Sequence, residues 1–155
     1  MAREFDGVDD SIIVAQAAPL NTPSTAFTMA AWIRIGATSG ESYSAIVSKP
    51  YSSSATVYGL LQGTTLGVFY VEIRTTAAFA TANTTALNAN TWYYIVGHWS
   101  SGNKITLDVY NVDGTLNQTV QSAAIQSGTL TYSSTSGLGI GYTLDLVRTW
   151  EGRIA

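Results

Sequence analysis

Two segments of the chain alternate apolar residues with aromatic or charged ones, a pattern that could serve ligand binding. Their polar members are Tyr70, Glu72 and Arg74 in the first segment, and Asp108 and Tyr110 in the second. Sugars are commonly bound by flat aromatic faces and a few fixed polar groups, because their C–H faces stack while their hydroxyl groups need charged or amide partners. These five residues therefore fit glycan binding if their strands are neighbours. Tyrosines also suit a half-buried sheet surface that binds nothing.

Three aspartates near the start of the chain could supply oxygen ligands for a metal ion. Asp6, Asp9 and Asp10 lie around Gly7, and Ca²⁺ takes about six to eight hard oxygen ligands, some of them backbone carbonyls. The alternative is that these carboxylates accept hydrogen bonds from the amides of their own turn, as aspartates do where they initiate turns. We favour the turn and keep calcium as the alternative. No cofactor is expected to be required.

Residues typical of nucleophilic or nucleotide chemistry are scarce. The chain has no cysteine, and His98 is its single histidine. No Gly-x-Ser-x-Gly motif marks a nucleophilic serine, and no glycine-rich loop for phosphate precedes a helix. His98 follows an aromatic run typical of a strand, so we expect it to be a sheet residue with a hydrogen-bond partner. We predict a protein that is not an enzyme.

Composition favours one all-β domain. The 155 residues are 46% hydrophobic and only 11% charged, which suffices for one core and, with abundant β-branched, aromatic and small turn-forming residues, favours sheet over helix. A net charge of −3 with seven scattered Lys and Arg argues against nucleic-acid binding. We expect neither membrane insertion nor a secretion signal, because no run of about 18 apolar residues and no leader pattern occurs.

Alternation and turn residues predict about ten strands that must position these side chains. They are Ser11 to Ala15, Phe27 to Ile35, Ser44 to Ser48, Val57 to Leu61, Leu66 to Arg74, Trp92 to Trp99, Lys104 to Val112, Leu116 to Gln121, Gly137 to Gly141, and one that begins near Arg153. The predicted inward-facing residues of two strands are Phe69, Val71 and Ile73, and Ile105, Leu107 and Val109. Asp113-Gly114 predicts a hairpin with a primed turn, since both residues tolerate positive φ.

Five short motifs, in order along the chain, resemble one family. Residues 5–12 are Phe-Asp-Gly-Val-Asp-Asp-Ser-Ile, and residues 27–32 are Phe-Thr-Met-Ala-Ala-Trp. Residues 91–97, 138–141 and 152–155 are Thr-Trp-Tyr-Tyr-Ile-Val-Gly, Leu-Gly-Ile-Gly and Gly-Arg-Ile-Ala. Together they are similar to the laminin-G-like, concanavalin A-like lectin jelly-roll family. The resemblance implies one antiparallel β-sandwich over residues 1–155, and a function in binding.

The resemblance carries three further expectations. Trp32 and Trp92 occupy the family's recurrent structural positions, which implies that they lie in the core. Related glucanases carry Glu-x-Asp-x-x-Glu, but the similar segment that begins at Glu4 is interrupted by Gly7 and ends in aspartate, so we favour the non-catalytic turn. The sequence stops where the family's last strand would continue. We therefore expect a hydrophobic edge, and either a longer native chain or a partner that supplies the pairing.

The opening Met-Ala-Arg-x-Phe-x-Gly, together with Gly-Arg-Ile-Ala at residues 152–155, resembles laminin-G-like virion proteins of tailed bacteriophages. This implies a non-enzymatic protein on the virion surface, either a capsid decoration or a tail-associated adhesin. The expected partners are other virion proteins or weakly bound glycans, and a homo-oligomer is compatible with this role. The alternative is a lectin-like carbohydrate-binding module of a secreted or surface protein of a cell, with an extracellular location.

Overall fold

The computed structural model describes residues 2–21, 24–37, 43–52, 55–132, 137–143 and 148–155. Within them the chain forms two six-stranded sheets, one two-stranded pair, and one 3-10 turn at Ala18–Asn21. The strands are β1 (Arg3–Asp6), β2 (Ile12–Val14), β3 (Ala26–Ile35), β4 (Ala45–Ser52), β5 (Ala55–Gln62), β6 (Phe69–Arg74), β7 (Phe79–Asn83), β8 (Trp92–Ser100), β9 (Thr106–Asn111), β10 (Leu116–Gln121), β11 (Leu138–Ile140), β12 (Tyr142–Thr143), β13 (Arg148–Thr149) and β14 (Glu151–Ile154). The all-β prediction is confirmed, and every predicted strand overlaps an observed one.

The two large sheets pack face to face. The first sheet has the order β1-β14-β3-β8-β9-β10, and the second has the order β2-β11-β4-β5-β6-β7. The pairings are antiparallel. Ile33 and Ile95 of the first sheet join Leu60 of the second in one hydrophobic core. A β-sandwich with one continuous core is therefore the architecture of the described chain.

Alternation correctly identified the inward faces of two strands. The six residues concerned, Phe69, Val71, Ile73, Ile105, Leu107 and Val109, are all fully buried. Each strand turns every second side chain inward, so the apolar set of β6 and the apolar set that leads into β9 meet in the sandwich interior. The residues between them consequently point to the two outer faces.

The prediction that Trp32 and Trp92 lie in the core is wrong. In β3 the inward positions are those of Ile33 and Ile35, so Trp32 points to the outer face and is only half-buried. In β8 the inward set includes Ile95 and Trp99, which leaves Trp92 outside as well. The strand period of two decides the outcome, because a residue cannot share a face with its immediate neighbour. The buried tryptophans are Trp99 and Trp150.

The hairpin at residues 111–116 is present, but its turn differs from the predicted one. The carbonyl of Asn111 accepts a hydrogen bond from the amide of Gly114 at 3.0 Å, and Gly114 has a φ of 84°, whereas Asp113 is not among the residues with positive φ. A primed turn needs positive φ at its first central residue, and a type I′ turn at both, but neither Val112 nor Asp113 has it. The turn instead has its glycine at the fourth position, with Asp113 Oδ1 accepting from the Thr115 amide at 2.9 Å.

Four of the observed strands were not predicted: β12 and β13 are only two residues long, and β1 and β7 lack a strong apolar alternation. β1 is only four residues long and pairs with β14, while β7 has the sequence Phe-Ala-Thr-Ala-Asn and pairs with β6. The last strand, β14, lies between β1 and β3 in the first sheet. Exposed apolar side chains are found on β2, at Ile12, Ile13 and Val14. In the described part of the chain, no helix has the length and apolar character needed to cross a membrane.

Candidate functional site

A groove lies on the outer face of the second sheet. It encloses about 660 Å³, which falls within the usual range of small-molecule sites, roughly 300–1,000 Å³. Its lining comes from strands β4, β5, β6 and β7 and from the loop that joins β5 to β6, and it is completed by Tyr43, Thr143 and Arg148. The side chains used below are Tyr43, Thr56, Tyr70, Glu72, Arg74, Phe79 and Arg148.

Three of the five residues predicted to bind a ligand line this groove together. Tyr70, Glu72 and Arg74 alternate with the fully buried residues of β6, so all three face outward. Across the sheet, Glu72 lies opposite Gly59 of β5, where the absence of a side chain lets Leu61 and Thr56 approach closely. Arg74 lies opposite Phe79 of β7, and its Cζ is 5.4 Å from the ring centroid. An aromatic face, a carboxyl and a guanidinium thus share one surface.

Glu72 is the acidic group among the described lining residues, and its side chain is largely buried. It is only 8% exposed, and burial raises the pKa of its carboxyl, while a hydrogen bond from the Thr56 hydroxyl and the charge of Arg74 act in the opposite direction. Burial disfavours the charged form of a carboxyl because water no longer solvates it. Glu72 therefore takes up a proton more readily than a surface glutamate does.

Tyr70 keeps its phenolic proton over the whole working range of pH. Burial, and then the nearby groups Glu72 and Tyr43, raise the pKa of its hydroxyl, while the charge of Arg148 lowers it. The net direction is strongly upward. The hydroxyl can accordingly donate a hydrogen bond to a ligand as well as accept one.

Tyr43 holds an unusual backbone conformation beside the groove. Its φ is 66°, a left-handed value that is uncommon for a residue with a side chain and costs roughly 1–3 kcal/mol. Its ring meets Tyr70 edge to face, with centroids 6.1 Å apart and an interplanar angle of 81°. The Cζ of Arg148 lies 5.2 Å from the centroid of the same ring. Tyr43 thus connects a floor residue to a cationic side chain.

Asp108 and Tyr110 lie elsewhere, because β9 belongs to the first sheet and β6 to the second. On that opposite outer face, the ring centroids of Trp32 and Tyr94 are 5.3 Å apart, and those of Tyr94 and Tyr110 are 6.2 Å apart. We call Trp32, Tyr94 and Tyr110 the aromatic ridge. The five predicted binding residues are consequently divided between two outward surfaces, three in the groove and two on the ridge side.

His98 has the sheet position that its sequence predicted. Its Nε2 lies 3.3 Å from Oδ2 of Asp108, and the other oxygen of Asp108 accepts a hydrogen bond from the Thr119 hydroxyl at 2.6 Å. The three residues belong to β8, β9 and β10, which are neighbours in the first sheet. Asp108 therefore has partners on both adjacent strands.

The aspartates of the opening turn accept hydrogen bonds from nearby residues. Asp6 Oδ1 accepts from the amides of Val8 at 2.8 Å and Asp9 at 3.4 Å, and Asp10 Oδ2 accepts from the amide of Asp6 at 3.1 Å. The described residues contain no group of three or more acidic, histidine or cysteine side chains arranged for a metal ion. These contacts fit the turn interpretation, and calcium at Asp6, Asp9 and Asp10 stays a prediction.

Glu4, the other acid of this segment, lies on β1 at the edge of the first sheet. Its carboxylate is largely exposed and forms an ion pair with Arg153 at 3.1 Å. Retaining and inverting glycosidases hold two carboxyl groups across a sugar in a cleft. An exposed edge strand gives Glu4 no such setting.

Of the seven groove side chains named above, sequence reasoning missed four, namely Tyr43, Thr56, Phe79 and Arg148. Phe79 could have been found, because Phe79, Thr81 and Asn83 alternate with two alanines in the manner of a strand that has small inward residues. Arg148 and Tyr43 have no such signal. They reach the groove through contacts between distant parts of the chain, which spacing along the sequence does not reveal.

Comparison with known proteins identifies the family of this chain. Residues 6–155 match a family model, Laminin_G_3, described as the concanavalin A-like lectin/glucanases superfamily. The LG1-3 region of the laminin alpha2 chain is structurally similar, with a TM-score of 0.71 and 13% identity over 99% of this chain and 30% of that one. No match was found among curated proteins.

Two toxin structures share the fold. The binding domain of Paraclostridial Mosquitocidal Protein 1 has a TM-score of 0.58 and 14% identity, covering 99% of this chain and 42% of that one. A structure of botulinum neurotoxin type C has a TM-score of 0.56 and 14% identity, covering 93% of this chain and 36% of that one. The chain thus spans less than half the length of these structures. The match over residues 6–155 places this chain in the concanavalin A-like lectin/glucanases superfamily, as a laminin-G-like, lectin-type β-sandwich.

Proposed function

We propose that this chain is a non-enzymatic recognition domain that binds a glycan in the groove of the second sheet. The observation that carries the proposal is the meeting of Tyr70, Glu72, Arg74 and Tyr43 in one concave surface. Aromatic faces stack on the C–H faces of a sugar, and a carboxyl with a guanidinium can fix its hydroxyl groups. The volume of about 660 Å³ suits a short saccharide.

The number of carboxyl groups in the groove favours binding over hydrolysis. Among the described lining residues, Glu72 is the sole carboxyl, whereas glycoside hydrolysis uses two carboxyl groups about 5–10 Å apart. One related structure bears on the ligand class: cell entry of botulinum neurotoxin type C is described as dependent upon interaction with two ganglioside molecules. Glycans are accordingly the first ligands to test.

We propose further that the domain acts on the surface of a tailed-phage virion, as a capsid decoration or a tail-associated adhesin. The support is the resemblance of the opening residues and of Gly152-Arg153-Ile154-Ala155 to phage virion proteins. Many copies on a symmetric particle turn weak single-site affinity into useful avidity. The alternative is a lectin-like module of a cellular secreted or surface protein. Co-sedimentation of the chain with phage particles at fixed stoichiometry and high salt supports the virion role, and its absence from particles favours the module.

The groove itself is tested by glycan-array binding with and without Ca²⁺, together with the mass of the protein in solution. Tyr43→Ala should weaken glycan binding by about tenfold or more, because it removes an exposed aromatic face. Tyr110→Ala is the matched control, since Tyr110 lies on the ridge side. If binding survives Tyr43→Ala and is lost in Tyr110→Ala, the binding site lies on the aromatic ridge instead of in the groove. Hydrolysis of the bound glycan would overturn the non-enzymatic assignment.

A further inference from the structure

The cations of the groove differ in their surroundings. Arg74 extends from the same face of β6 as Glu72, and its charge acts on the Glu72 carboxyl. Arg148 comes from β13 and lies against Tyr43. The ion pairs among the described residues join carboxylates to Arg3, His98 and Arg153, and Arg148 is in none of them. The groove therefore presents a guanidinium whose charge those ion pairs do not neutralise.

The position of Arg148 suits recognition of an anion, because its Cζ lies 5.2 Å from the centroid of the Tyr43 ring. A guanidinium that rests its flat face on an aromatic ring keeps the N–H groups around its edge available to a ligand. The backbone of Arg148 is also held, because its amide donates to the Thr143 hydroxyl at 3.2 Å on the paired strand β12. A carboxylate can accept two parallel hydrogen bonds from such an edge.

Tyr43 holds the groove floor and Arg148 in a fixed arrangement. Its left-handed backbone, with a φ of 66°, carries a free-energy cost that the surrounding structure must offset. The conformation is accompanied by two ring contacts, one to Tyr70 on the groove floor and one to Arg148. The strained residue thus positions a cation next to the surface on which a sugar would stack.

We propose that the groove selects saccharides that carry a carboxylate, such as sialic or uronic acid residues, and that Arg148 anchors this carboxylate. This inference rests on the proposed glycan-binding function and specifies its ligand class. The sugar ring lies on the aromatic floor near Tyr70, while the acid group meets the edge of the Arg148 guanidinium. In this arrangement, Glu72 and Arg74 form hydrogen bonds with the hydroxyl groups of the sugar.

The test compares matched ligands by calorimetry: sialyllactose, its methyl ester, and lactose, with digalacturonate and its dimethyl ester as a second pair. The wild-type protein should bind at least one acid about tenfold or more tightly than its ester, because only the ionised acid can form a charged, bidentate pair. Affinity for the acid should fall as salt rises from about 0.05 to about 0.5 M. Arg148→Gln should abolish the preference for the acid.

Arg153→Gln is the control for loss of a positive charge, because Arg153 lies in the first sheet in an exposed ion pair with Glu4; it should keep the preference. Equal binding of acid and ester, with both lost in Tyr43→Ala, would overturn the inference and leave the glycan proposal standing. An equal loss of acid and ester binding in Arg148→Gln would assign that residue a purely structural role, and would also overturn it. If no glycan binds in the groove, the glycan proposal fails and the inference fails with it.

Discussion

The indole N–H of Trp150 donates a hydrogen bond to Oε1 of Gln62 at 3.3 Å, deep in the interior of the sandwich. Trp150 precedes β14 of the first sheet, and Gln62 ends β5 of the second. Both side chains are almost fully buried. This polar contact therefore joins the two sheets within the core.

Removing the acceptor should destabilise the domain. Gln62→Met keeps a similar volume but leaves the buried Trp150 N–H without this partner, which should cost about 1–3 kcal/mol. Denaturant unfolding measures the loss. In a Trp150→Phe background the same substitution should cost clearly less, because the donor is already absent. Equal costs in both backgrounds would show that the hydrogen bond contributes nothing.

The tryptophans of the two faces should differ in their contribution to stability. Trp99 is 2% exposed, so Trp99→Ala should cost about 3–5 kcal/mol through lost burial and the cavity that remains. Trp32 lies on the outer face, where its ring packs against that of Tyr94, so Trp32→Ala should cost about 1 kcal/mol. Urea denaturation of both variants checks the difference. Equal losses would restore the sequence-based expectation that Trp32 is a core residue.

The raised pKa of Glu72 should make the free energy of unfolding depend on pH. Because burial raises the pKa of this carboxyl above its unfolded value of 4.5, the folded state binds the proton more tightly than the unfolded chain does. The resulting stabilisation is fully present below the unfolded pKa and is lost as pH rises through the folded pKa. Glu72→Gln should therefore be more stable than wild type at neutral pH.

Thermal unfolding measured from about pH 4 to pH 8 tests this relation. The advantage of Glu72→Gln should shrink steadily as the pH falls towards the unfolded pKa. Glu4→Gln is a suitable control, since the Glu4 carboxylate is largely exposed in its ion pair with Arg153. A Glu72→Gln advantage that is constant across this range would contradict the raised pKa.

Two glycines with similar backbone angles should respond differently to alanine. Gly114 and Gly141 have φ values of 84° and 70°. A Cβ on Gly114 would meet nothing within 4 Å, whereas a Cβ on Gly141 would overlap the ring of Phe5. Gly114→Ala should cost about 1–2 kcal/mol from backbone strain alone, and Gly141→Ala about 2–5 kcal/mol, because crowding in the core is added. Equal costs, measured by chemical denaturation, would show that Phe5 moves aside freely.

The sequence predicts which side chains of a strand point inward, but it does not predict which strands share a sheet. Alternation correctly separated Val71 from Glu72, and Leu107 from Asp108, because side-chain direction in a strand is a local property. It could not show that β6 and β9 enter different sheets, since that depends on pairings between distant segments. The same limit applies to Arg148, which meets Tyr43 only because the folded chain brings them together.

The tryptophans show how a family pattern can conflict with a local rule. Trp32 was expected in the core from its place in a recurrent motif, although Ile33 and Ile35 already occupied the inward positions of the strand. A consistent use of the period of two would have placed Trp32 outside. The turn at Gly114 was located correctly from its composition. Its type depended on backbone angles that Asp-Gly alone does not determine.

The pairing of β1 with β14 sets Arg3 directly opposite Ile154. Because β14 lies between β1 and β3 in the first sheet, its backbone forms ladder hydrogen bonds on both sides, whereas β1 forms them with β14 alone. Amide hydrogen exchange should therefore be slower along β14 than along β1.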